Sequence, residues 1–119
     1  MIEDAWRIVG GRPLRGAVTP AGSKNGSLPS LAAAILLDGE TVLQRVPRIA
    51  DTETMIGMLQ ALGLEVVRRE DGTVRILNRG LESHRVPLEL ASRMRASHYL
   101  LGPVLARLGR AEIPFPGGC

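Results

Sequence analysis

Gly22-Ser23-Lys24-Asn25-Gly26 runs directly into Ser27-Leu28-Pro29-Ser30-Leu31-Ala32-Ala33-Ala34-Ile35-Leu36-Leu37, and Asp38-Gly39 closes the run. A small polar turn that hands over to an apolar helical stretch is the punctuation of a strand–turn–helix unit. Pro29 suits a first helical turn, and the Ala- and Leu-rich run after it has high helix propensity. That run is apolar around most of its surface, so the helix is expected to be largely buried. Upstream, Leu14, Gly16 and Val18 alternate with their neighbours in a strand pattern that ends at Pro20-Ala21-Gly22.

Downstream the same rhythm repeats. Residues 41–46 read as a strand ended by Pro47, and Asp51 reads as the N-cap of a helix whose Met55, Ile56, Leu59 and Leu62 recur at helical spacing before Gly63. Residues 64–68, an Asp71-Gly72 turn and residues 73–77 form a predicted hairpin. Residues 14–77 therefore spell β-α-β-α-β-β, an α/β (α+β) class. Pro87 opens a second helical region over 88–108 with a kink expected at Gly102-Pro103, and residues 111–115 read as a last strand before Pro116-Gly117-Gly118-Cys119. Residues 15–24 and 109–119 share a strand, a proline and a glycine turn, but the second copy stops where its helix should begin. The chain thus reads as one unit plus the incomplete start of another, with apolar surface awaiting cover, as in a fragment or one piece of a split protein.

Composition narrows the function classes. The chain has 119 residues, 45% of them apolar, enough for one domain and its core. Trp6, Tyr99 and Phe115 are the only aromatics, so aliphatic packing must supply most of that core. Lys and Arg number 15 against 12 Asp and Glu, a net charge of +3, and the cations are scattered among acids, as in Arg68-Arg69-Glu70-Asp71. Without clustered charge or interleaved aromatics, a nucleic-acid partner is not expected. No run of about eighteen apolar residues suggests a membrane span. The acidic Met1-Ile2-Glu3-Asp4 lacks signal-peptide order, so a cytoplasmic location is expected. The single cysteine, Cys119, excludes an internal disulfide framework and a multi-cysteine zinc site.

Lys24 is the only lysine, and it lies where a strand gives way to a helix N-terminus. Free N–H groups at such an end attract anions, and an ammonium adds a full charge. On the residues alone, a solvated loop lysine and an anion contact are equally good readings. Arg93-Met94-Arg95 would put its two arginines on different faces of a helix, one towards solvent and one into a cleft, or both would lie along the surface. His98 reads as packing or surface. Cys119, after two glycines, is either an incidental terminal thiol or a proton donor and nucleophile.

Ala21-Gly22-Ser23-Lys24-Asn25-Gly26-Ser27-Leu28-Pro29, Val46-Pro47 with Asp51, Met94-Arg95-Ala96-Ser97, Leu101-Gly102-Pro103 and Pro116-Gly117-Gly118-Cys119 follow one another in a fixed order. The series resembles the N-terminal part, about a quarter, of the UDP-N-acetylglucosamine 1-carboxyvinyltransferase family of enolpyruvyl transferases. The resemblance implies two inside-out α/β barrels, each of three βαβαββ units, with the active site between them. Residues 14–77 would be the first unit and 78–119 an incomplete second, with residues 1–13 belonging to the other domain. It further implies phosphoenolpyruvate and UDP-N-acetylglucosamine as substrates, the missing C-terminal remainder as a partner, and no metal or organic cofactor. Lys24 resembles the phosphoenolpyruvate contact, Asn25 the amino-sugar contact, Arg95 the arginine near the sugar-nucleotide phosphates, and Cys119 the general acid that fosfomycin alkylates.

The sequence departs from the family at Ala50, where many members have a basic residue, and at Tyr99, where tryptophan is common. The arginine just after the loop cysteine and the later aspartate base are not in this chain, which alone is expected to have no turnover. The alternatives are a 5-enolpyruvylshikimate-3-phosphate synthase-like enzyme, a non-catalytic anion- or nucleotide-sugar-binding module, and a fragment that folds only with its partner. Asn25, Leu28-Pro29 and Cys119 speak against the first.

Overall fold

The computed structural model describes residues 4–115. Helix α1 spans Lys24–Ala33 and tightens into a 3-10 turn over Ala34–Leu36. Strand β1 is Gly39–Leu43, α2 is Ala50–Ala61, β2 is Glu65–Arg68 and β3 is Val74–Asn78. The three strands form an antiparallel sheet in the order β1-β3-β2, with Thr41 opposite Ile76 and Val66 opposite the same residue. Val74, Ile76 and Asn78 point from the central strand into the core, where α1 and α2 cover that face with Leu28, Leu31, Ile35, Met55, Met58 and Leu59. The predicted strand after α1, the second helix and the hairpin are all present, within two or three residues of their expected ends.

Asn78 is a buried polar residue, and its amide is fully used. It donates to the carbonyls of Ile35 (3.0 Å) and Leu37 (2.9 Å) and accepts from the Gly80 N–H (2.9 Å). These bonds tie the end of the central strand to the end of the first helix, which a buried amide requires. Arg68 is similarly structural: its guanidinium lies 3.0 Å from Glu53 and donates to the Val46 carbonyl at 3.0 Å.

Five expectations are corrected. The strand over residues 14–18 is irregular, with Leu14 97% and Val18 93% exposed. Alternation reports local preference, whereas a strand exists only when a partner accepts its hydrogen bonds; among the described residues no partner does, and Gly16 breaks the run at φ 131°. Helix α1 starts five residues earlier than Pro29 suggested, because the Ser23 hydroxyl accepts from the Gly26 N–H at 3.1 Å and caps it there. Asp51 is not a cap either: Ile49 holds that position, and the Thr52 hydroxyl accepts from the Ile49 N–H (3.3 Å) while donating to the Pro47 carbonyl (2.6 Å).

The fourth correction is the long helical region. It divides into α3 (Leu88–Ala91), a 3-10 helix (Arg95–Leu100) and α4 (Leu101–Leu108). The break falls at residues 92–94, ahead of Gly102-Pro103, which instead sits in the first turn of α4, where a missing N–H has no helical acceptor. Residues 111–115 form a single parallel bridge, Arg85 to Glu112, in place of a strand. Among the described residues no helix is long and apolar enough to cross a membrane.

Candidate functional site

Lys24, Asn25 and Arg95, three of the four residues singled out in the sequence, line one cavity of about 400 Å³. Its first wall is the N-terminal turn of α1, which Ser23 fixes in place. The second is the start of α2, which contributes Asp51. The third is the connection from α3 into the 3-10 helix, which contributes Arg93, Met94, Arg95 and Tyr99. Cys119, the fourth residue, lies outside the described residues, with the rest of 116–119.

The α1 turn is held by a close approach of two backbones. A Cβ on Gly22 would sit 1.5 Å from the Arg45 carbonyl oxygen, so only glycine fits between the incoming chain and the β1–α2 connection. Arg45 itself adopts φ 58°, unusual for a residue with a side chain, and its guanidinium donates to the Pro20 carbonyl at 2.6 Å. Two residues on, Lys24 extends its ammonium to Asp51 at 3.0 Å. Lys24 is half exposed and Asp51 about a third exposed, so the pair is open to exchange with an incoming anion.

Sequence reasoning missed Asp51 as a cavity residue, because an Asp before an apolar run reads first as a cap. It also separated Arg93 from Arg95, since positions two apart diverge on a helix. Here Met94 is extended (φ −154°, ψ 146°) and buried, so the arginines on either side of it both face the cavity. His98, read as packing or surface, is exposed: its Nδ1 is 2.5 Å from the Arg95 carbonyl and its ring meets Tyr99 edge to face at 4.9 Å. The cavity therefore presents three cations, one carboxylate, one amide and a tyrosine. That set suits a ligand with several anionic groups and a polar body.

The sequence pattern of EPSP synthase (3-phosphoshikimate 1-carboxyvinyltransferase) matches residues 8–119. The chain belongs to this enolpyruvyl transferase family. Curated relatives named UDP-N-acetylglucosamine 1-carboxyvinyltransferase include one from Anaeromyxobacter dehalogenans (strain 2CP-C), 48% identical over 94% of this chain and 27% of its own length. Another, from Cellvibrio japonicus, is 45% identical over 98% of this chain and 28% of its own length. The crystal structure of the enolpyruvyl transferase NikO from Streptomyces tendae superposes with a TM-score of 0.74 at 27% identity, covering 84% of this chain and 23% of that one. The chain thus spans little more than a quarter of the length of the curated relatives it matches, as an N-terminal portion does.

Proposed function

We propose that this chain forms the N-terminal wall of the active site of an enzyme that transfers the enolpyruvyl group of phosphoenolpyruvate to the 3′-hydroxyl of UDP-N-acetylglucosamine, the first committed step of peptidoglycan synthesis. The observation that carries the reading is the meeting of Lys24, Asn25 and Arg95 in one cavity from two separate parts of the chain. The relatives' names favour the nucleotide sugar as acceptor over a shikimate.

In this reading Lys24 leaves Asp51 to hold the phosphoenolpyruvate anion, and Arg95 grips a phosphate of the nucleotide through paired hydrogen bonds. Asn25 bonds the amino sugar. The Cys119 thiol protonates the methylene carbon of the enol, and the sugar hydroxyl adds to the adjacent carbon. Loss of a proton from the new methyl group then expels phosphate and restores the double bond. Fixed cations stabilise charge throughout.

The 119-residue chain alone is expected to release no phosphate from the two substrates together, because the remaining walls come from elsewhere; measured release would overturn this. Joined to a full-length relative's remainder, the chain should gain the mass of one fosfomycin, at Cys119. An unmodified Cys119 with retained activity would refute the thiol's role.

A further inference from the structure

Arg93 lies beside the residues given roles above, and no role has yet been assigned to it. It is exposed, lines the same cavity as Arg95, and also borders the adjoining hollow beside Ala50. The nearby carboxylates are already engaged: Asp51 with Lys24 at 3.0 Å and Glu53 with Arg68 at 3.0 Å. Among the described residues neither Arg93 nor Arg95 has an ion pair or a side-chain hydrogen bond, so two positive charges face the cavity uncompensated.

The backbone explains how they come to act together. The extended, buried Met94 turns its side chain into the core and leaves its neighbours on the opposite side, with Cα atoms about 6.5–7 Å apart. Two flexible guanidinium arms rooted that close can converge on adjacent phosphates that share a bridging oxygen. A single phosphate needs only one of them.

We propose that Arg93 is a further substrate-binding residue, which acts with Arg95 as a two-armed grip on the diphosphate of a nucleoside-diphosphate ligand. This rests on the nucleotide-sugar reading above and adds to it the residue that distinguishes a diphosphate from a monophosphate.

The test is an NMR titration of the chain joined to a full-length relative's remainder, following the arginine Nε–Hε signals, with UDP-N-acetylglucosamine and with UMP as probes. Wild type is compared with Arg93→Ala, Arg93→Lys and Arg95→Ala. Arg93→Ala should weaken the diphosphate ligand about tenfold or more, the loss expected for a charged hydrogen-bonded contact, and UMP by less than about threefold. Arg93→Lys should recover only part, since an ammonium keeps the charge without the paired donors. Equal weakening of both nucleotides, or none, in Arg93→Ala overturns the proposal. If Arg95→Ala weakens binding and Arg93→Ala does not, only the role of Arg93 falls. If UDP-N-acetylglucosamine leaves the cavity signals of the wild type unmoved, the nucleotide-sugar reading falls with it.

Discussion

Gly22 shows how much a single missing methyl group decides. Gly22→Ala forces a carbon against the Arg45 carbonyl, and the α1 turn or the β1–α2 connection must shift. The expected cost is about 2–3 kcal/mol, the upper range for overpacking, read from urea unfolding followed by circular dichroism. Ser97 gives the opposite sign. Its hydroxyl is fully buried and has no partner among the described residues, so Ser97→Ala should leave stability unchanged or raise it by up to about 1 kcal/mol; a clear loss would reveal a missed partner. At this scale Lys24 and Asn25, which line the cavity, could be singled out because their neighbours form a recognisable series. Asp51 was not legible as a site residue, since its role depends on a lysine 27 positions earlier that only the fold brings near.

A short, specific link that titrates joins the segment ahead of α3 to the one after α4. Glu112 sits in the bridge that follows α4, with Arg85 at 2.6 Å, His84 at 3.3 Å and Arg110 at 3.4 Å, while main-chain bonds run from Glu112 to His84 and from Val86 to Glu112. The Arg85 hydrogen bond foremost, then those of His84 and Arg110, hold the Glu112 carboxyl below its ordinary value against the effect of desolvation. A folded-state pKa below the unfolded one gives stability that is present above the ordinary glutamate range and is lost as pH falls through the depressed value. Glu112→Gln should therefore flatten the acid limb of the stability curve and speed amide exchange at Val86. An unchanged acid limb would count against the cluster. The hairpin and α2 were legible because local periodicity specifies them. The break at residues 92–94 was not, because Met94 is held extended by burying its side chain, a non-local gain that a helical pattern does not record.

Seen whole, the molecule has a packed body and an arm. Residues 4–20 are exposed throughout, and the radius of gyration, 17.3 Å, exceeds the roughly 13.5 Å typical of a compact chain this long. Trp6, the only tryptophan, is 94% exposed on that arm. Its fluorescence should report full solvent exposure and change little on unfolding, while the far-ultraviolet circular dichroism shows a cooperative transition; a large coincident blue-shifted native signal would place Trp6 against the body. The order of elements from α1 through the hairpin was readable in the sequence. The fate of residues 14–18 was not, because a strand's existence depends on its partner.

The cavity also has a history in time. Its walls come from residues as distant as Lys24 and Tyr99, so no segment shorter than the one that joins them can assemble it. Closing so long a loop precedes any reward from the contacts it makes, which slows that step. The helices and hairpin should form before the cavity exists, and protection of the amides that line it should lag recovery of helical signal during refolding. Closure of the cavity would then act as a clock for the last stage of assembly.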